Sequence, residues 1–310
     1  MQMFPNSPPH SLPPHRQFSS SRAPAQRAFV VILIALTPSL FAAAPPAQSA
    51  PAAPLDATAL VRHAVQHRLD AEKTHHPMQY LLRNVNERHD TTKLIIETRD
   101  GDVARLVAIN GKPIGRDDDR AELARLDNLA QHPDLQEHRR SSEQKDQDRV
   151  DHLMSELPVA FLYRLEGVVP CTAGQCYKLS YTPNPQFQPP DTESRIFRGI
   201  AGEVWIEQKH ERLARLEANF LSDVDFGFGI LGKVNKGGAV LLEQKDIGGP
   251  DWELTAFQMH VTGKILIVKS FNSQVNEVMG HFSPVPPNLS YRDAIQLLKK
   301  YDPSQTPYTP

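Results

Sequence analysis

Apolar residues recur every three to four positions at the start of the chain's main body. Leu60, Val61, Ala64, Val65 and Leu69 fall near one face, and this predicts an amphipathic helix over 57–73. The pattern then changes to alternation, which predicts strands over 78–84, 93–98 and 103–109. Asp100-Gly101 and Asn110-Gly111 mark tight turns between them, so these strands form an antiparallel meander. Helical spacing returns over 116–157, where Leu123, Leu126, Leu129, Val150, Leu153 and Leu157 recur. Pro133 divides this stretch into two predicted helices. It reads either as a helical insertion covering a sheet or its mouth, or as structural helices with a solvated face.

Strand chemistry resumes at 160–169 and 176–182, and a stiff proline-rich loop and a short helix over 192–198 follow. Further strands are predicted at 202–207, 212–221, 239–245, 252–261, 264–271 and 278–282. Gly248-Gly249-Pro250 and Thr262-Gly263 are read as turns. Ser290 caps a closing helix over 291–300, and the Pro- and Thr-rich tail over 303–310 is expected to be disordered. About ten strands with short connections and helices at the start, middle and end predict an α+β fold. Hairpin-linked neighbours are antiparallel, and a sheet this large curls, with helices covering its concave face. No internal repeat is present, and 51–302 is expected to be a single domain.

The N-terminus changes the picture. Residues 1–27 are rich in Pro and Ser and carry only basic charges, and 28–44 read AFVVILIALTPSLFAAA, followed by small residues and prolines. A basic region, an apolar stretch and a small-residue site form a secretory signal, placed within 1–50. Cleavage fits after Ala44 or after Ser49, and the long basic region allows a start at Met3. The alternative is an uncleaved anchor, for which the segment is short of the ~20 residues that span a bilayer. No cysteine lies near the cleavage positions, so a lipid anchor there is not expected.

With that leader removed, 31 basic residues face 36 acidic ones, a net charge of −5. Such a domain lacks the basic footprint of a nucleic-acid binder. Cys171 and Cys176 bracket a loop between two predicted strands. In an oxidising compartment so close a pair is read as a disulfide that pins a hairpin. A redox pair would have two residues between its cysteines, not four, and a metal site would need further ligands that no nearby residue supplies.

Several motifs invite chemistry. Residues 227–233 (GFGILGK) match G-x-G-x-x-G and nearly match a phosphate-binding loop. Val234 stands where Ser or Thr would be needed, and a second turn, not a helix, follows at 235–238, so nucleotide binding is not expected. The segment reads instead as an apolar loop whose Phe226, Phe228, Ile230 and Leu231 line a pocket or complete the core. His63 and His67 are four apart on the first helix, but Ala64 replaces the glutamate of the metalloprotease pattern, and solvated histidines are the plainer reading. No G-x-S-x-G is present, and the carboxylates lie mostly in solvated runs such as Asp117-Asp118-Asp119. No catalytic residue, metal or cofactor is assigned.

Three stretches carry a family resemblance. Gly202-Glu203-Val204-Trp205-Ile206-Glu207 followed by 212–217 (RLARLE), the segment from Asp225-Phe226-Gly227 through Gly238 to Trp252-Glu253-Leu254, and 105–113 (RLVAINGKP) resemble strand pairs of an unassigned group of exported bacterial proteins. The architecture is similar to that of the lipoprotein-carrier (LolA-like) superfamily, an open half-barrel plugged by helices. The resemblance covers about 57–300. It implies a periplasmic, non-enzymatic domain whose concave apolar face binds lipid or lipoprotein acyl chains, or an envelope protein. The charged insertion and the cysteine loop depart from that pattern. Trp205, Leu216, Phe220, Phe226, Phe228, Phe257 and Met259 are the expected cavity residues, with ordinary core packing as the alternative for each. Alternation puts Phe257 and Met259 on one face of their strand, and Leu216 and Phe220 on one face of theirs. The second functional expectation is an envelope sensor or scaffold that uses the helices of 116–156 as its contact surface. An open apolar cavity would favour the carrier, and a filled one the scaffold.

Overall fold

A computed structural model of the chain describes residues 55–86, 89–172, 174–226, 232–248, 252–265 and 269–307. The leader 1–50, Phe228 and the glycine-rich segment 227–231 lie outside the described residues.

The first helix, α1 (Ala57–Lys73), starts where the sequence places it because the Asp56 side chain accepts from the backbone N–H of Thr58 and Ala59, each at 3.0 Å. Strands β1 (Met78–Val85), β2 (Asp90–Ile96), β3 (Val103–Ile109) and the two-residue β4 (Lys112–Pro113) follow as a meander. The insertion consists of α2 (Arg116–Gln131) and α3 (Pro133–Ala160), and Pro133 occupies the first turn of α3. Next come the hairpin β5 (Phe161–Cys171) and β6 (Gly174–Pro183), then a 3₁₀ turn at Ser194–Gly199. The Cys171 and Cys176 sulfurs lie 2.13 Å apart, so these residues form a disulfide within that hairpin. The remaining strands are β7 (Ile200–Glu207), β8 (Leu213–Phe220), β9 (Val224–Phe226), β10 (Gly232–Val234), β11 (Ala239–Asp246), β12 (Trp252–Ile265) and β13 (Lys269–Pro284), with α4 (Tyr291–Lys300) closing the domain.

All thirteen strands of the described residues belong to one antiparallel sheet, in the order β4-β3-β2-β1-β13-β12-β11-β8-β7-β6-β5, with β9 and β10 attached beside β12. The sheet is not closed into a barrel: β4 and β5 are its two ends. The fold is therefore α+β with an open antiparallel sheet and helices packed on it.

Register explains where the helices go. Val204 pairs with Leu216, Leu216 with Leu242, Leu242 with Phe257, Phe257 with Glu277 and Glu277 with Asn84, so these side chains share one face. On that face α1 and α3 bury Leu60, Val61, Leu157, Leu179, Val204, Leu213 and Phe220. Leu81, Leu94 and Arg105 form a row of the alternate face. There α4 packs Ile295 and Leu298 against Leu81, Ile96, Val103 and Val107 in a second core. Helix α2 lies along β3, where Glu122 accepts from Leu106 N at 3.1 Å and Arg125 donates to the Ala104 carbonyl. Strand β3, which β4 covers only at Ala108 and Ile109, thereby has open backbone groups satisfied by side chains.

Two sequence expectations are corrected. Thr262-Gly263 is not a turn: β12 runs through it to Ile265. A Cβ on Gly263 would sit 2.2 Å from the Lys233 carbonyl and 2.5 Å from the Phe271 ring, so this glycine serves a close approach between strands. Of the tail expected to be disordered, the described residues 303–307 include a 3₁₀ turn at Pro303–Gln305. Asp302 accepts from Ser304 N at 2.9 Å, the Tyr301 hydroxyl bonds Thr306 at 3.1 Å, and Thr306 is buried.

Candidate functional site

The helix-covered face bears Leu216, Phe220, Phe257 and Met259. Phe220 is buried in the core there, and Leu216 and Met259 pack against that core. The structure therefore brings these four to one side of the sheet. Phe226 ends β9, beside Gly232 of β10. Trp205 is not with them. It alternates with Val204 and lies on the opposite face, between the ammonium of Lys178 at 5.8 Å and the guanidinium of Arg215 at 5.4 Å from its ring centroid. That half of the face is a ladder of ion pairs, including Lys178–Glu203 at 2.9 Å and Arg215 with Glu217 and Glu243.

The apolar seam between α1, α3 and β5–β8 is filled. Only about 10 Å³ remains among Val61, Val65, Met154, Leu157, Val204 and Leu216. A true cleft opens beside it, with a volume of about 620 Å³. Its walls come from α1 (Ala64, Arg68, Glu72), the β2–β3 turn (Glu97 to Asp102), α3 (Arg140, Glu143, Gln144, Gln147) and the ends of β8, β11 and β12 (Arg212, Gln244, Trp252 to Leu254). Strands β8 and β2 are five places apart in the sheet. A flat sheet would hold them about 24 Å apart. Curvature brings their ends to a common cleft.

The polar groups of the cleft fall into two sets. Some are satisfied within the protein. Glu97 accepts from the His75 ring at 2.7 Å and from Met78 N at 2.8 Å, and Arg68 pairs with Glu72. The hydrogen bond to Glu97 pushes His75 up to about 9, so the pair is ionic at neutral pH. Others are left open. Among the described residues, the side chains of Arg212, Gln244 and Asp102 have no hydrogen-bond or ion-pair partner within the protein. Gln244 is only 8% exposed. Burial, and then the charges of Glu97 and Glu143, push Asp102 up to about 7. Glu143 is held close because it accepts from Asp102 N at 3.1 Å.

These shifts fix a pH dependence. Asp102 holds its proton more tightly folded than unfolded, so its contribution to stability is lost as pH rises from about 4 to about 7. His75 is raised from 6.5, so its contribution is complete below that value and is lost as pH rises through about 9. Urea denaturation is expected to show stability falling from pH 5 to pH 9. Asp102→Asn should flatten the lower part of that slope and add about 2 kcal/mol at pH 8, a figure reduced for the partial exposure of the carboxyl. A His75→Gln variant should flatten the upper part. A wild-type profile that rises across this range would exclude both assignments.

The other candidate chemistry has structural roles. His63 Nδ1 meets Glu211 at 3.0 Å and His67 Nδ1 meets the His210 carbonyl at 3.0 Å, which fixes the β7–β8 turn against α1 and so sets the position of Arg212. Lys233 lies in a strand and pairs with Asp223 at 2.6 Å. Among the described residues, no group of three or more His, Cys, Asp or Glu side chains is placed to hold a metal ion, and no helix is long and apolar enough to cross a membrane.

Known proteins give no guide to this cleft. No family model, curated protein or solved structure matches the chain.

Sequence reasoning missed the cleft because its residues come from seven separated segments and form no local motif. Asp102 follows a recognisable Asp-Gly turn, but nothing in that turn reveals its burial beside Glu97 and Glu143.

Proposed function

We propose that this chain is an exported, non-enzymatic binding protein of the cell envelope, working in the periplasm, and that its ligand or partner engages the polar cleft between α1, α3 and the curved sheet. One observation carries this reading: the cleft presents unsatisfied polar groups, Arg212, Gln244 and Asp102, while the neighbouring apolar seam is filled. Unpaired groups held part-buried by a rigid scaffold lose their water for a ligand at less cost than freely solvated ones. The leader pattern and the disulfide support an oxidising address. The face of α3 that lines the cleft belongs to the charged insertion, which fits a sensor or scaffold module.

Acyl-chain carriage in the manner of the lipoprotein carriers is a second reading. Ala64 and Leu213 line both the cleft and the apolar seam, so a chain entering from the cleft would reach the seam if α1 and α3 lifted from the sheet. Uptake of a fluorescent fatty acid separates the two. The polar-cleft reading predicts no saturable uptake by the purified protein. Uptake near one per chain, abolished by a bulky substitution such as Leu216→Trp, would overturn it in favour of the carrier.

A further inference from the structure

We infer that the cleft recognises a short peptide with both termini free: its carboxylate docks on Arg212, its backbone amide on Gln244, and its ammonium on Asp102 with Glu143. This inference rests on the polar-cleft reading and names its ligand class.

The charge balance excludes simpler ligands. The residues lining the cleft include five basic side chains (three of the arginines being Arg68, Arg140 and Arg212, with His75 protonated) and five carboxylates. A purely anionic or purely cationic ligand would meet as many like charges as opposite ones. A ligand carrying both signs at separate ends meets the balance.

The open groups are also sorted by place. Arg212 stands at the β8 end of the cleft, between the β7–β8 turn and α1. It is half-buried and has no carboxylate partner among the described residues, although a guanidinium is shaped to take a carboxylate with two parallel hydrogen bonds. Asp102 and Glu143 come from separate elements of the lining, the β2–β3 turn and α3. There carboxylates crowd one another, and an ammonium group would relieve that repulsion. Gln244 lies at the end of β11. It is more than nine-tenths buried, lines the cleft and has no partner, and its amide offers the donor and acceptor that a peptide bond needs. Its amide atoms still reach solvent in the cleft, so a ligand there takes the place of water. A volume of about 620 Å³ suits a peptide of a few residues, and Trp252 and Leu254 supply an apolar wall for its side chains.

Isothermal titration of the full chain with trialanine, N-acetyl-trialanine and trialanine amide tests the assignment. Trialanine with free termini is expected to bind at least tenfold more tightly than either blocked form. In Arg212→Met the amide should bind as well as the free acid, while the N-acetyl penalty remains. In Asp102→Asn the pattern should reverse. Thermal unfolding of each variant checks that it is folded, and the comparison of the three peptides on the wild-type protein stands without any variant. Equal binding of free and blocked peptides, or no binding of any of them, overturns the peptide assignment. If no peptide binds but another polar molecule co-purifies and is displaced by Arg212→Met, the ligand class alone falls. If none does, the cleft reading falls with it.

Discussion

Replacing Arg105 by methionine is expected to lower the stability of the domain by about 4 kcal/mol, measured by urea or guanidinium denaturation at pH 7. Arg105 is only 1% exposed, on a strand surrounded by Leu81, Leu94, Val103 and Val107. A cation in such a place is tolerable because both terminal nitrogens of its fork are met, while its Nε is buried without a partner. It donates to the Leu298 carbonyl and, at 2.8 Å, to the Tyr301 carbonyl, where α4 ends, and it pairs with Asp119 on α2. The carbonyls at a helix C-terminus carry partial negative charge and lack intrahelical donors, so a guanidinium there satisfies backbone groups and complements the dipole together. Methionine would fill the volume but leave the Tyr301 carbonyl without its donor, the Leu298 carbonyl with only the Tyr301 N–H, and the Asp119 carboxylate unpaired. Lysine should rescue little, because a single ammonium cannot span the three acceptors in that geometry. Asp119→Asn should cost less, about 1 kcal/mol, since Asp119 is 32% exposed and water can replace its partner. If Arg105→Met were as stable as wild type, the account of the second core would be wrong.

The second large effect concerns Gly202. A Cβ at that position would lie 1.9 Å from the Glu217 carbonyl oxygen and 3.0 Å from the Tyr181 hydroxyl. The Tyr181 hydroxyl donates to that same carbonyl at 2.7 Å, and Tyr181 is paired with Gly202 across β6 and β7. The glycine is therefore the gap through which a buried tyrosine reaches the next strand but one. Gly202→Ala should cost at least about 3 kcal/mol, because backbone rather than a flexible side chain must move. Tyr181→Phe should cost only about 1 kcal/mol. A melting curve for Gly202→Ala within a degree of wild type would contradict the close approach.

Local chemistry made much of this fold legible, and the failures have physical causes. Helix α1 is bounded by its Asp56 cap, and β3 by turns on both sides, so sequence and structure agree at those limits. Pro133 separates α2 from α3 as its missing N–H requires. Strands β4, β9 and β10 are two or three residues long and carry too few positions for any alternation to show. Gly263 looks like a turn residue, and only the neighbouring Lys233 carbonyl and Phe271 ring explain it as a strand residue. At the candidate site the lesson is sharper. Alternation grouped Leu216 with Phe220 and Phe257 with Met259, but it could not assign Trp205 to the opposite face, because face depends on register between strands. Arg212, Gln244 and Asp102 belong to no motif and become a set only when the curved sheet brings β8, β11 and the β2–β3 turn together.

Native mass spectrometry of the protein purified from a bacterial periplasm, wild type beside Arg212→Met, decides between the polar cleft and the apolar seam. The wild-type protein is expected to carry a water-soluble adduct that the variant has lost. A lipid bound near one per chain, and retained equally by the variant, would contradict it and move the ligand from the polar cleft to the apolar seam.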